Sequence, residues 1–343
     1  MLAKYKFTAL YEGFTVHTIQ IQATSSATST SKTATTTDDY LSLYLKYKDR
    51  DGVVVSSEAL SFVDVNATFT NQTLYVPSGG STVLSVYGNM NAVETGYANS
   101  GDGPQLGLVW YIATSGSQPT WSTSTVTNAW SKQMVLYKSK PTVGPRAGII
   151  SGTLVAGTND LYAVTIAADS KGDVAIKKLV FYITGGMSTS TDKIGTFKFY
   201  KGTIDYSDKV KATTTLTDGT GVALSAISDK DGNTTTNLAI IFDDEETITA
   251  DTSQTYYLKA NVSGVDTTGE YIQTYVKGDT TYATGTAAGY WSGPTKYANA
   301  SSSVFVWSDI TYPRGPYTES TSEDWTNGYL VKTVPSTLYT LKY

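Results

Sequence analysis

Apolar and polar positions alternate along most of this chain. Leu41, Leu43, Leu45 and Tyr47 are interleaved with Ser42, Tyr44, Lys46 and Lys48, the period of two that marks a strand with one buried face. Runs rich in Val, Ile, Thr, Tyr and Phe, bounded by Gly, Asp, Asn and Ser, predict strands at Lys4–Leu10, Phe14–Ala23, Tyr40–Lys48, Leu60–Phe62, Ala67–Thr70, Thr82–Tyr87 and Leu106–Ala113. A second set follows at Asp160–Ala168, Asp173–Ile183, Gly195–Tyr200, Leu238–Phe242, Gln254–Val262 and Tyr271–Val276. No long window carries the three-four spacing of an amphipathic helix, and room for a short helical turn is left near Ser57–Leu60.

The two sets share an order of features. Tyr5–Leu10 followed by Phe14–Ile21 matches Tyr162–Ala167 followed by Val174–Ile183. Asp49-Arg50-Asp51-Gly52 has a counterpart in Asp229-Lys230-Asp231-Gly232. Leu74–Gly80 leading into Thr82–Tyr87 matches Glu246–Ala250 leading into Thr255–Val262. The pattern predicts an all-β protein of two tandem immunoglobulin-like β-sandwich domains with an aromatic-rich C-terminal extension. The first domain covers 1–138 and the second, with insertions, 155–315. Residues 139–154, with Pro141 and Pro145, read as the linker, and 316–343 as a tail that packs back or is exchanged between subunits. The Ser/Thr run Thr24–Thr37 and the stretch Gly116–Trp130 read as irregular loops.

Composition narrows the chemistry. Of 343 residues, 91 are Ser or Thr and only 16% are charged, so hydroxyls supply the polarity. The formal charge is −5, with no basic excess to neutralise a nucleic-acid backbone. With no Cys and a single His, thiolate sites, disulfides and multi-histidine metal centres are excluded. Met1–Thr8 alternates like a strand and lacks the apolar core of a signal peptide, and no stretch is long and apolar enough for a membrane-spanning helix. The composition points to an extracellular or cell-surface β-protein.

Candidate chemistry is sparse. His17 falls on the polar side of a strand with no nucleophile beside it in sequence. Glu94, Glu245, Glu246 and Glu270 could only form a glycosidase pair through the fold. There is no phosphate-binding glycine loop and no nucleophile elbow, so no catalytic residue is assigned and the chain is read as a non-enzyme. The Asp-x-Asp-Gly turns, with Asp49 and Asp51 in one half and Asp229, Asp231 and Asn233 in the other, place oxygens two residues apart. That spacing fits either the opening of a calcium loop or a plain hairpin turn, and Leu60 and Ile240 stand where a calcium loop would carry its closing Glu. No cofactor is required, and calcium is the one ion with a candidate place. Asp243–Glu246 reads as a solvated turn unless it completes the second loop. Five Asn-x-Ser/Thr triplets, starting at Asn66, Asn71, Asn233, Asn261 and Asn299, barely exceed what this composition gives by chance.

The segments Lys4–Val16, Leu43–Gly52, Leu74–Gly80, Gly157–Tyr162 and Asp324–Pro335 resemble modules of uncharacterised secreted β-sandwich repeat surface proteins of uncultured candidate-phylum bacteria. That resemblance implies a cell-surface structural or adhesive protein and brings no catalytic residues. Two functions follow as expectations. The first is a self-associating subunit of an extracellular filament or surface layer, its partners being copies of itself joined through strand edges, Met1–Leu10 and the Gly289–Tyr343 tail. The second is a surface adhesin or carbohydrate-binding module using some of Trp110, Trp121, Trp130, Trp291, Trp307 and Trp325 to stack on glycans. A contiguous solvent-facing aromatic patch would separate the second from the first.

Overall fold

The computed structural model describes residues 1–27, 38–93, 98, 100–119, 121–127, 129–132, 134–146, 151–189, 191–215, 221–281, 303–311, 325–329 and 331–343. Among these, regular structure is almost wholly strand, with single 3₁₀ turns at Ser207–Lys209 and Leu224–Ala226. By internal contacts the chain divides into two compact units, Met1–Tyr137 and Lys138–Tyr343.

The first unit is a sandwich of two antiparallel sheets. One runs in the order Ala3–Thr8, Ser81–Met90, Tyr40–Lys48, Val54–Ser56. The other centres on Phe14–Ala27, with Asn66–Phe69 and Leu74–Val76 along one side and Asp102–Ser115, then Ser122–Thr125, on the other. Alternation sends Tyr5, Leu45 and Val86 of the first sheet and Ile19, Phe69 and Leu108 of the second into one buried core. Each such side chain contributes about 1.5–3 kcal/mol on burial. The Tyr5 hydroxyl donates to the Leu106 carbonyl oxygen at 2.6 Å, so one sheet is tied to the other by a buried polar bond.

The second unit has larger sheets. Six strands include the run Pro141–Pro145, Gly157–Ala168, Ser253–Ser263, Lys193–Lys201, Ile204–Asp205. Nine include the run Ser151–Thr153, Tyr339–Lys342, Tyr271–Val276, Val174–Gly186, Thr235–Ile248, Val210–Thr213, Val222–Ala223. Rings from both sheets interlock between them. Phe199 stacks on Tyr256 at 5.6 Å, while Phe181 and Phe242 meet Phe199 edge-on at 6.4 and 5.8 Å. On the opposite side of the nine-stranded sheet, Val180, Ala239 and Val304 form a small second cluster. Lys178, two residues before Val180, is buried beside the Asp279 carboxylate; desolvation pulls its ammonium down to about 8, against the pull of Asp279. Asp279 in turn accepts the backbone N–H groups of Val304, Phe305 and Gly328, pinning two C-terminal segments to this sheet.

A common order runs through both units. In each, the first long strand pairs with a late strand, which pairs on its other edge with the third: Ala3–Thr8, Ser81–Met90, Tyr40–Lys48 in one, and Gly157–Ala168, Ser253–Ser263, Lys193–Lys201 in the other. The strands Phe14–Ala27 and Val174–Gly186 both cross to the opposite sheet. The two Asp-Gly turns break this order. Asp49–Gly52 closes the hairpin between Tyr40–Lys48 and Val54–Ser56, whereas Lys230–Asp231 pairs with the start of Lys193–Lys201.

Several loop assignments need correction. Residues 139–154 hold strands Pro141–Pro145 and Ser151–Thr153, and the prolines stand at the two ends of the first, outside its bridge from Thr142 to Lys332. Within Gly116–Trp130, Ser122–Thr125 is a strand that no apolar alternation announces, since its outer edge has no strand partner and its residues are hydroxylated. Near Ser57–Leu60 there is no helical turn: Leu60 exchanges both backbone bonds with Leu43, and Ser57 bonds Leu45, so the segment stays extended. Asp243–Glu246 lies inside strand Thr235–Ile248 at a bulge, not in a turn. The terminal strands Ala3–Thr8 and Tyr339–Lys342 pair within the chain. Most of the Thr24–Thr37 run and much of the tail, including Tyr290, Trp291, Tyr297, Tyr312 and Tyr317, lie outside the described residues.

Candidate functional site

The outer face of the Phe14–Ala27 sheet carries three tryptophans in a row. The core claims Tyr111, which meets Phe7 edge-on at 5.1 Å, so Trp110 before it and Ile112 after it point outward. Trp110 stands opposite Gln20 on one side and Thr125 on the other. Gly107 stands opposite Gln22, between core residues Leu106 and Leu108, so its missing side chain would also point outward. The Trp130 ring fills that place: a Cβ on Gly107 would come within 2.7 Å of it. Backbone bonds from Ser131 to Leu106 and from Leu108 to Ala129 hold Trp130 there.

Trp121 occupies the other end. A bulge between Val16 and Thr18 leaves His17 as the extra residue, and its Nε2 lies 2.8 Å from the outward Thr114 Oγ1. The Trp121 ring stacks on that imidazole at 4.7 Å and 20°. His17 is thus the backing for an aromatic plate. Trp121 remains 60% and Trp130 43% exposed, while Trp110 is half-buried. From His17 to Gln22 the row spans roughly 15 Å at the rise of a strand.

The polar groups around these rings are uncharged. Thr15, Gln20, Gln22, Thr114, Thr123 and Thr125 alternate outward on the same strands, and none of the outward positions from 14 to 22 or 107 to 115 is Asp, Glu, Lys or Arg. Gln20 is oriented by its amide bond to Thr68 Oγ1 at 3.2 Å. The arrangement offers flat ring faces with amide and hydroxyl groups between them, and a carboxylate past the end of the row, Glu12, is held by Ser115 and Ser117.

The other predicted residues fall elsewhere. Trp307 is buried, its indole N–H donating to the Asn327 carbonyl oxygen at 2.9 Å. Trp291 and the Trp325 side chain lie outside the described residues, as does Glu94. Asp49 Oδ1 accepts the N–H groups of Asp51 and Val53, which closes its hairpin. Asp229 accepts the N–H of Thr196, and Asp231 that of Asn233. Among the described residues no three His, Asp or Glu side chains gather in one cluster. Glu246 is held by Lys201 and by the Tyr206 hydroxyl, whose own proton burial and this carboxylate push up to about 12. Glu270 is buried, which would raise it. Its bonds from Ser188, Thr267 and Asp266 nevertheless hold it below the usual carboxylate range. A cleft of about 410 Å³ opens beside Tyr47, Glu58, Asn71 and Gln72. Its Tyr47 hydroxyl is already committed to Gln72 Oε1.

No protein-family profile and no curated protein matches the chain. Solved structures do align. One titled BspA_C_WT covers 80% of this chain and 86% of its own at 11% identity, with a TM-score of 0.22. The C-terminal domain of the Streptococcus agalactiae AgI/II polypeptide BspA covers 77% and 80% at 10% identity, TM-score 0.18. That of the Streptococcus pyogenes antigen I/II-family protein AspA covers 80% and 95% at 10% identity, TM-score 0.16. Scores this low do not establish a common fold. They do correct the expected resemblance to uncharacterised candidate-phylum proteins, since the structures that align are named streptococcal domains.

Proposed function

We propose that this chain is an extracellular, non-catalytic surface adhesin whose first unit binds a neutral glycan along the tryptophan row. The observation that carries the reading is the pair of exposed rings held face-out by rigid backing, Trp121 on His17 and Trp130 on Gly107. Rings fixed before binding lose little entropy when a sugar stacks on them. Outward Gln and Thr between the rings suit hydroxyls, and the lack of charged residues at positions 14–22 and 107–115 suits an uncharged chain. The abundance of Ser and Thr, the low charge and the lack of Cys support a place outside the cell.

Within this reading the two units are tandem immunoglobulin-like sandwiches, and the second supports the first. Assembly into a filament or surface layer gains less support, because both terminal strands are already paired inside the chain.

The test is affinity electrophoresis of the full chain through gels containing neutral polysaccharides. Retardation by at least one, abolished in Trp121→Ala/Trp130→Ala with thermal stability unchanged, is expected. Equal mobility of the native chain and the double variant in every gel would sink the proposal.

A further inference from the structure

The opposite sheet of the first unit presents a different surface. Ala3, Tyr5 and Phe7 are buried, so Lys4 and Lys6 point outward from the edge strand. Leu43, Leu45 and Tyr47 are buried, so Tyr44, Lys46 and Lys48 point outward from Tyr40–Lys48. Register puts these in rows: Lys4 and Lys46 flank Ser85, Lys6 stands beside Val83, and Tyr44 beside Tyr87. The spacing between strands sets the Lys4 and Lys46 stems roughly 10 Å apart across Ser85, with Lys6 and Lys48 each two residues further along their own strands, roughly 7 Å on. Tyr44 and Tyr87 stack at 5.2 Å, and the Lys46 ammonium sits 5.2 Å from the Tyr87 ring.

No carboxylate answers these charges. Among the described residues none of Lys4, Lys6, Lys46 and Lys48 makes an ion pair, and the outward positions of these strands and of Ser81–Met90 include no Asp or Glu. The nearest acids in sequence, Asp49 and Asp51, lie in the turn beyond Lys48, where Asp49 Oδ1 holds backbone N–H groups. Lysines on an edge strand can serve simply to repel a neighbour's strand. That accounts for Lys4 and Lys6 but not for Lys46, which is paired on both sides, to Ser85 and to Ser56.

We infer that this face is a second binding surface, for a linear acidic polysaccharide. Ammonium groups repeated along two strands that flank a third match carboxylates recurring along a sugar chain. Tyr87, Tyr44, Ser85 and Thr8 supply ring and hydroxyl contacts between them. The tyrosine pair favours a sugar chain over a bare phosphate polymer, and the net charge of −5 disfavours a long duplex that must lie against much of the surface.

The test uses the immobilised full chain with polygalacturonate, neutral dextran, duplex DNA and vesicles containing anionic lipid, at 50 and 300 mM salt. Polygalacturonate is expected to bind at low salt, to weaken at least tenfold at high salt, and to bind at least tenfold less tightly to Lys4→Gln/Lys46→Gln. Lys259→Gln in the second unit and Trp121→Ala/Trp130→Ala should leave it unchanged, which separates this face from the neutral-glycan row. No binding of polygalacturonate at 50 mM salt overturns the inference. So does equal loss in Lys259→Gln, or tighter binding of DNA or vesicles than of polygalacturonate. Unchanged binding together with new self-association in Lys4→Gln/Lys46→Gln would assign these lysines to guarding the sheet edge instead.

Discussion

The two units share a strand order and differ in how much they leave unsatisfied. On the sheet of the second unit that corresponds to the lysine face, Lys259 is paired with Asp160 at 2.8 Å and Lys198 with Asp205 at 3.3 Å. On the first, the row Lys4–Ser85–Lys46 has no acid. The contrast repeats for tryptophan. Trp307 of the second unit is enclosed, with its N–H bonded, whereas Trp121 and Trp130 of the first face solvent on fixed backings. A folded chain normally pairs buried charges and covers large rings. Among the described residues the second unit encloses Trp307 and pairs Lys259 and Lys198, and the first leaves lysine and tryptophan surface open on opposite faces, which supports the proposed place of recognition in the first.

The comparison breaks most sharply at tryptophan. Trp307→Ala should lower unfolding free energy by about 3–5 kcal/mol, whereas Trp121→Ala should cost under about 1 kcal/mol and abolish retardation by neutral glycan. Denaturant midpoints check both, and similar losses in the two variants would remove the distinction. Asp279→Ala probes the second unit's dependence on satisfied burial. It strands three backbone N–H groups and leaves Lys178 without this carboxylate, for an expected loss of about 3 kcal/mol seen in the second unit by hydrogen exchange.

Alkaline pH should separate the units without mutation. Burial lowers Lys178 to about 8, so from there up to its unfolded value of about 10.4 the unfolded chain binds more protons, and the second unit gains stability as pH rises. No lysine is buried among the first unit's described residues. Its buried Tyr5 and Tyr40 are raised by desolvation and keep their protons where the unfolded chain loses them. Above about pH 10 it therefore loses stability, as the second unit does through Tyr256. Urea melts followed by hydrogen exchange at pH 7.5, 9.5 and 11 check the order; a second unit that weakens between the first two values goes against it.

Smaller effects sharpen the picture. In Gly107→Ala the added Cβ collides with the Trp130 ring, so glycan affinity should fall about tenfold, roughly 1.4 kcal/mol, with the core intact. Unaltered affinity would show that Trp130 is not a contact. Asp160→Asn releases Lys259 from an exposed pair and should change stability by less than about 1 kcal/mol, while adding weak polygalacturonate binding to the second unit.

Much of the fold was legible because alternation is a backbone property. Tyr40–Lys48 and Tyr271–Val276 appear with the bounds that their patterns predict. Strands without a buried face, such as Ser122–Thr125, leave no apolar signal and read as loop in the sequence. The proposed binding face is legible in the sequence only as a list of tryptophans. Sequence could not tell Trp307 from Trp130, because what separates them is a glycine 23 positions earlier that lets one ring lie flat on a strand. Alternation reads His17 as a polar-face residue, while its place behind Trp121 depends on a bulge that no residue pattern marks. The lysine face was partly visible in the alternation of Lys46 and Lys48 with Leu45 and Tyr47. Its lack of carboxylates needed the neighbouring strands.

The most direct test of the tryptophan row is an indole N–H spectrum of the ¹⁵N-Trp-labelled chain, titrated with neutral cello-, manno- and chito-oligosaccharides. Assignment comes from single Trp→Phe variants. The account predicts that one of these sugars shifts the signals of Trp110, Trp121 and Trp130 together, with the Trp307 signal fixed on its bond to Asn327. Shifts confined to other signals, or none with any of the three sugars, would contradict it.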